Sequence, residues 1–264
     1  MEKGFGVQML DYDILLLQET KINPESIFEL EGFHSYFHSS ERIRGYSGVS
    51  IHSKRRPDRV FCKFDPLMDD EGRFIAADFG DLRIINVYTP NAKDDCSRMD
   101  HQMEFLYRVY RQFFTDPTKK ILFVGDLNFA DQPSIDIGSF ISSEWWKVPM
   151  NGIRPEQVAG TDVLFGEYGF VDLYRLQHPG AIFPQRRPWI RPENYKDVSW
   201  FSSQTFAKLR GLGWRVDYVF ASWALYQRLK ETGYQIRNLQ VYPYSDHVPI
   251  LIDLPSSVIN YPTG

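Results

Sequence analysis

Cysteine is scarce in this 264-residue chain, with only Cys62 and Cys96. Two thiols cannot make a disulfide framework, and these two show no metal-ligand spacing. Both are expected to be ordinary reduced thiols. Long apolar runs are missing as well: none approaches the roughly 18 residues of a spanning helix. The start, Met1-Glu2-Lys3-Gly4, lacks the pattern of a secretory leader. A cytoplasmic location without membrane attachment is the expectation. There is no internal repeat, no low-complexity tract and no linker, so one domain over 1–264 is the simplest organisation. Positive charge is not in excess either. A net charge of −4 argues against a surface that grips polyanions everywhere. The basic residues do gather locally, at Lys54-Arg55-Arg56, at Arg42 with Arg44, and at Arg186-Arg187 with Arg191. Each group reads either as a phosphate-contacting strip or as a solvated loop.

What the chain has is apolar mass: 43% of it is hydrophobic, enough for a substantial core. Short apolar runs predict strands near Ile14–Leu17, Val49–Ile51, Phe74–Phe79, Arg83–Tyr88, Ile121–Val124, Val216–Ala221, Ile236–Val241 and Val248–Leu254. Several are apolar at consecutive positions, as strands covered on both faces are. From about Ser97 to Phe114, Met99, Met103, Leu106, Tyr107, Tyr110 and Phe114 recur at helical spacing. A second helix is expected over Trp223 to Glu231. The stretch from Gln177 to Lys196 carries Pro179, Pro184, Pro188 and Pro192 and reads as irregular. The class is α/β.

The polar residues of interest share one placement. Glu19 follows a strand, Tyr88 and Asp126 end strands, Asp217 opens one, and Asp246-His247 precede one. Strand ends converge at the rim of a sheet, where side chains distant in sequence can meet. Glu19 offers a hard oxygen ligand suited to Mg²⁺; a solvent-facing acid is the plainer alternative. Asp126 and Asn128 lie two residues apart and share a side of an extended chain. Together they can orient a water and bond a phosphate oxygen, although an Asx turn would use the same residues. Asp217 is a plausible carboxylate partner for His247, fixing its tautomer and raising its basicity. His34, His38, His52, His101 and His178 lack such a context and read as structural or surface residues. Tyr88-Thr89-Pro90-Asn91 places two phosphate donors at a proline-fixed turn. Trp200, Phe201 and Trp214 are candidates for an aromatic floor, with core filling as the alternative.

Taken together, the chain resembles the exonuclease III / abasic-site endonuclease family of the endonuclease–exonuclease–phosphatase superfamily. The matching stretches are Leu17-Gln18-Glu19-Thr20-Lys21, Gly45-Tyr46-Ser47-Gly48-Val49, Glu71-Gly72-Arg73-Phe74-Ile75 and Asn86-Val87-Tyr88-Thr89-Pro90-Asn91. They continue with Gly125-Asp126-Leu127-Asn128-Phe129-Ala130, Gly169-Phe170-Val171-Asp172, Gly213-Trp214-Arg215-Val216-Asp217-Tyr218 and Ser245-Asp246-His247-Val248-Pro249-Ile250. They run in the family's order from about Asp11 to Leu254. The resemblance implies a four-layer α/β sandwich, two packed mixed β-sheets flanked by helices, with the site at one rim. It implies Mg²⁺, with Mn²⁺ as the alternative ion, held by Glu19 with Asp246 as a metal-side acid. Asp126 would position or deprotonate the attacking water. Asn128 and Tyr88 would contact the phosphate or transition state, as would Asn91, and Asp217 would pair with His247. Trp200, Trp214 and Val216 would line a pocket for a flipped-out abasic sugar, with Arg215 beside them on the substrate.

The implied activity is DNA phosphodiester cleavage 5′ to abasic sites, leaving a 3′-hydroxyl, with 3′→5′ exonuclease or end-cleaning activity. The implied partner is double-stranded DNA with abasic sites or 3′ ends, acted on by a monomer. Such an enzyme would be nucleoid-associated in a prokaryote and nuclear in a eukaryote. A catalytically impaired DNA-binding homologue and a relative acting on RNA or a small phosphoester remain as alternatives. Two departures from the family pattern bear on them. The family begins with a strand ending in Asn-x-Asn-Gly, whereas Met1-Glu2-Lys3-Gly4-Phe5 stands where the first helix should begin, so weakened metal binding is an expectation. After Trp200-Phe201, Ser202-Ser203-Gln204 replaces the usual aromatic–Arg element, which leaves substrate preference open.

Overall fold

The computed structural model of the protein describes residues 11–137, 151–179, 197–201, 213–239 and 245–259. In chain order its strands are β1 (Ile14–Gln18), β2 (His34–His38), β3 (Val49–Ser53), β4 (Arg59–Phe61), β5 (Phe74–Phe79), β6 (Leu82–Tyr88), β7 (Lys120–Asp126), β8 (Phe170–Asp172), β9 (Trp200–Phe201), β10 (Gly213–Trp214), β11 (Asp217–Ser222), β12 (Gln235–Asn238) and β13 (Ile250–Asp253). The main sheet has six strands in the order β4-β5-β6-β7-β11-β8. Only β6 and β7 pair in parallel; the other neighbours are antiparallel. A three-stranded antiparallel sheet, β1-β3-β2, packs against one face of it.

Both faces of the main sheet are covered, which explains why its strands carry apolar residues at consecutive positions. Successive side chains point to opposite faces. Phe74, Ala76, Ile85, Val87, Ile121 and Phe123 join a core with the helix Met99–Phe113. Ile75, Ala77, Leu82, Ile84, Leu122 and Val124 join a second core with Val49 and Ile51 of the small sheet. The helix Trp223–Thr232 adds Leu225 and Leu229 to this second core, and the β12–β13 hairpin adds Ile236. This is the α/β sandwich that the resemblance implies. Among the described residues no helix is long and apolar enough to cross a membrane.

Most expected elements stand where the apolar runs placed them. Two shift: β12 stops at Asn238 and β13 starts only at Ile250. Val248 instead donates its backbone N–H to Ser199 O at 2.6 Å. The edge strand β2 escapes an apolar scan because it reads His-Ser-Tyr-Phe-His. The helix Pro155–Gly166 also escapes it, because it shows no apolar stripe. Its Gly160 lies against the helix Met99–Phe113, where a Cβ would fall 2.6 Å from Met103 Cε. Cys62 and Cys96 are free. Lys54 and Arg55 of one basic group and Arg42 and Arg44 of another are locally engaged. Lys54 faces Asp13 at 3.6 Å, Arg55 donates to Ile259 O, and Arg44 pairs with Glu25. Arg186, Arg187 and Arg191 lie outside the described residues, as do Ser202, Ser203, Gln204 and residues 1–10.

One polar residue between the two sheets carries their alignment. Asn86 of β6 is fully buried. It accepts from Gln18 Nε2 at 2.6 Å and donates to Leu17 O and Ser50 O, each at 3.0 Å. A buried amide is costly unless bonded, and here it ties β1 and β3 to the main sheet. Asn86→Ala strands one buried and one part-buried carbonyl and should lower stability by about 2–4 kcal/mol. The measurement is the urea midpoint at unchanged m-value; a loss below about 0.5 kcal/mol would refute the tie.

Candidate active site

The site begins with register. Asp126, the last residue of β7, lies opposite Tyr88 in β6 and opposite Asp217 in β11. Residues directly opposite on adjacent strands point to the same face. Three strand ends thus deliver Tyr88, Asp126 and Asp217 as one row, facing the inter-sheet side. Gly125 allows this ending: its φ is +144°, and a Cβ would fall 1.9 Å from Val87 O.

The small sheet supplies Glu19 from the turn after β1. That turn is held by Thr20 N to Gly48 O at 3.1 Å and Lys21 N to Ser47 O at 2.8 Å. Glu19 adopts φ +52°, an uncommon conformation for a non-glycine residue and one that gathers at functional sites. Its Oε1 accepts the Tyr88 hydroxyl at 2.6 Å, and its Oε2 lies 3.5 Å from Lys21 Nζ. Behind Tyr88, Arg73 is buried, donates to Tyr88 O at 3.1 Å and lies over the ring at 4.7 Å. Burial, then the charges of Asp126 and Glu19, hold the Tyr88 hydroxyl far above its usual range, so it stays protonated.

His247 arrives on a separate ribbon. β9 and β10 pair Trp200 with Trp214, and an isolated bridge pairs Trp200 with His247. Phe201 N donates to Asp246 O at 2.9 Å. His247 Nδ1 is 2.8 Å from Asp217 Oδ2. A carboxylate only accepts, so Nδ1 carries the proton of that bond. Nε2 is left facing Asp126 Oδ2 at 4.0 Å. Burial lowers the affinity of this imidazole for a proton, but the charges of Asp217, Asp126 and Asp246 outweigh it and raise its pKa to about 10. Burial, then the charge of Asp217, pushes Asp126 up to about 7, with His247 offsetting part of the rise.

Asp126 Oδ1 accepts the Asn128 N–H at 2.7 Å, and Asn128 sits at φ +59°, a conformation asparagine tolerates. Asn91 donates to Asn128 Oδ1 at 3.0 Å, so both expected amides stand beside Asp126. Asp126, Asp217 and His247 have ligand atoms within 4.8 Å of one another, a cluster able to hold a metal ion. Trp200 and Trp214 meet edge to face at 6.1 Å. Trp200 Nε1 donates to Asp246 Oδ2 at 3.1 Å, which leaves Asp246 exposed and bound to the aromatic wall. Val216 is buried, and its carbonyl accepts from Leu127 N at 2.9 Å.

One expectation is overturned. Arg215 does not face a substrate. It is 1% exposed, with its guanidinium 2.8 Å from Asp136 and 2.6 Å from Asp172 and lying 4.4 Å over the Tyr218 ring. A buried charge requires such pairing, and Trp214-Arg215-Val216 gave no local sign of the distant acids. Residue-by-residue reading also missed Ser199, whose hydroxyl accepts from Val216 N and Asp217 N at 3.0 Å each and fixes the start of β11. It missed Gln102, Asn151 and Gln157, which belong to the amide network around Asn91; only Pro155-Glu156-Gln157, a helix-start pattern, signalled one of them.

The chain has recognisable relatives among known proteins. The profile of the Endonuclease/Exonuclease/phosphatase family matches residues 7–247. An exodeoxyribonuclease of Bacillus subtilis (strain 168) is 29% identical over 243 residues, covering 91% of this chain and 87% of its own. The DNA repair nuclease APEX1 of Danio rerio is 31% identical over 256 residues, covering 94% of this chain and 75% of its own. The structure of an AP endonuclease from Archaeoglobus fulgidus superposes with a TM-score of 0.73 at 26% identity, covering 94% of this chain and 90% of that one. The chain belongs to the Endonuclease/Exonuclease/phosphatase family, in its exonuclease III / AP endonuclease branch.

The raised pKa of Asp126 has a consequence for stability. The unfolded chain ionises this acid near 3.8, the folded chain near 7. Folding therefore carries a penalty that grows above pH 3.8 and is complete above about pH 7. Asp126→Asn should stabilise the metal-free protein by roughly 1–3 kcal/mol at pH 8 and hardly at all at pH 4. Thermal midpoints in EDTA at the two pH values measure this; a gain of equal size at both would contradict it.

Proposed function

We propose that the protein is a divalent-metal-dependent DNA nuclease that cleaves the phosphodiester 5′ to an abasic site and leaves a 3′-hydroxyl, with 3′→5′ exonuclease or end-cleaning activity. The observation that carries this reading is the convergence of Tyr88, Asp126, Asp217 and His247 on one face at one sheet end. The relatives are named for DNA cleavage and repair, and this supports nucleic acid as the substrate class.

The residues fit a divalent cation. Asp126, Asp217 and His247 bring ligand atoms within 4.8 Å of one another, and burial, then the charge of Asp217, raises the pKa of Asp126 with His247 offsetting only part of the rise. Glu19, a hard oxygen donor, would hold Mg²⁺ beside the Asp126–Asp217–His247 cluster, with Asp246 as a metal-side acid; Mn²⁺ would serve in its place. The ion, when bound, neutralises charge on the phosphoryl oxygens.

The chain's own residues do the rest. Asp126 has one oxygen occupied by Asn128 N–H and the other 4.0 Å from His247 Nε2, so that one water or phosphate oxygen could touch both. A carboxylate near pH 7 in affinity is matched to taking a proton from that water. His247, held by Asp217, presents Nε2–H to a phosphoryl oxygen, and the Asn91 and Asn128 amides donate to the others, joined by the neutral Tyr88 once its hydroxyl turns from Glu19. Trp200 and Trp214 form the wall against which an abasic sugar would lie, with Val216 behind it. Lesions suit this mode because unstacking costs least where a base is already gone.

The test is cleavage of a labelled duplex carrying one abasic analogue, with and without EDTA. The wild type should cut 5′ to the lesion, and EDTA should abolish cutting. Asp126→Ala and His247→Ala should each lower turnover at least about 100-fold while duplex binding persists. Duplex bound but uncut with Mg²⁺ or Mn²⁺ would leave a binding protein; cleavage confined to RNA or a small phosphoester would move the substrate.

A further inference from the structure

Beside Asp126 runs a head-to-tail chain of side-chain amides. Gln157 Nε2 donates to Asn151 Oδ1 at 3.2 Å, Asn151 Nδ2 donates to Asn91 Oδ1 at 3.0 Å, and Asn91 Nδ2 donates to Asn128 Oδ1 at 3.0 Å. Asn128 Nδ2 ends the chain on Thr89 O at 2.8 Å. A primary amide is ambivalent, with two donor hydrogens and one acceptor oxygen. Here each oxygen of Asn151, Asn91 and Asn128 is taken by the preceding N–H. Each of the three keeps one further N–H, so the row offers three donors. That suits a phosphodiester, whose free oxygens only accept.

Backbone groups fix the direction of three of the four amides. Gln157 Oε1 accepts from Gly152 N at 2.9 Å and Arg154 N at 3.0 Å. Asn91 Oδ1 accepts from Lys93 N at 2.8 Å, and Asn128 Nδ2 faces the Thr89 carbonyl. Backbone N–H groups only donate and carbonyls only accept, so these amides cannot turn over. Among the described residues no backbone group locks Asn151. Its direction is set by Gln157 on one side and Asn91 on the other. Gln157 is fully buried, and its second N–H goes to Gln102 Oε1 at 2.6 Å; Gln102 in turn donates to Leu127 O, between Asp126 and Asn128.

We infer that Gln157 is a positioning residue that fixes Asn151 as a third phosphate donor in line with Asn91 and Asn128. This rests on the nuclease reading. Gln157→Glu keeps the acceptor for Gly152 and Arg154 and removes the donor. Asn151 then meets an acceptor on the Gln157 side, and if it turns over, its oxygen meets Asn91 Oδ1, which Lys93 holds in place. Neither orientation is satisfied.

The experiment is a double-mutant cycle read as Kd for a duplex with a tetrahydrofuran abasic analogue in EDTA, where no cleavage intervenes. Gln157→Glu and Asn151→Ala should each raise Kd about 10-fold, as the loss of one charge-assisted donor would. On the Asn151→Ala background, Gln157→Glu should add less than about twofold, since its effect passes through Asn151. The ratio of variant to wild-type Kd should also fall toward one as pH drops and the new carboxyl regains a proton to donate. Additive losses, or a ratio unchanged with pH, would overturn the inference, because a role confined to helix capping or folding gives that result. If the wild type itself neither binds nor cuts the abasic duplex, it is the nuclease reading that fails.

Discussion

Asp126 has a cross-strand partner on each side, Tyr88 in the parallel β6 and Asp217 in the antiparallel β11. This register is the constraint on which the rest of the site depends. A slip of one residue in either pairing would send a side chain to the opposite face. Tyr88 would then join the helix-side core in place of Val87, and Glu19 would lose the hydroxyl it bonds. The register is held by bulk on both faces: Val87, Phe123 and Phe220 on one, Ile84, Leu122 and Val219 on the other. Apolar packing thus determines the positions of the polar groups.

A second row crosses the first. Trp214, Trp200 and His247 lie side by side on a short ribbon that shares no strand with the main sheet. The two rows join at His247, whose Nδ1 lies 2.8 Å from Asp217 Oδ2 and whose Nε2 lies 4.0 Å from Asp126 Oδ2. Ser199 reinforces the junction, since its hydroxyl takes the N–H groups of Val216 and Asp217 while its carbonyl takes that of Val248. The aromatic wall and the imidazole therefore share one backbone support. A displacement of the wall reaches His247 through two or three hydrogen bonds, which gives a route by which substrate seating and the charge of the reacting groups could be coupled.

What the sequence makes legible is what strand ends and short motifs carry. The apolar runs place β1, β3, β5, β6, β7 and β11, and the polar residues at their ends are the ones that meet. Asp217 and His247 can be paired from the sequence because only one histidine follows an acid just before a strand. Arg215 could not be placed, because what decides its role is the distant pair Asp136 and Asp172. In Trp214-Arg215-Val216 a guanidinium looks the same whether it faces a phosphate or two buried carboxylates. Gln157 and Asn151 are invisible for a related reason. An amide has no periodicity and no charge, and its importance lies in partners supplied by Asn91, Gln102 and the backbone of Gly152. β2 was hidden because an edge strand need not be apolar.

Three of the uncommon backbone conformations fall where the polar rows end. Glu19, Gly125 and Asn128 all have positive φ, and each stands within one turn of chain from a group that bonds its neighbour across the cleft. Glycine and asparagine meet this at little steric cost, but glutamate does not. At Glu19 the turn is held by Gly48, where any Cβ would strike Thr20 Oγ1 at 2.4 Å. The small sheet is thereby shaped to bring a carboxylate to Tyr88, although that carboxylate adds negative charge to a site already rich in it. Folding alone would favour neither the strained glutamate nor the buried Asp126. Both are accounted for if the energetic return comes on binding, when a cation and an anionic ester enter together and each relieves the charge the other would leave unpaired.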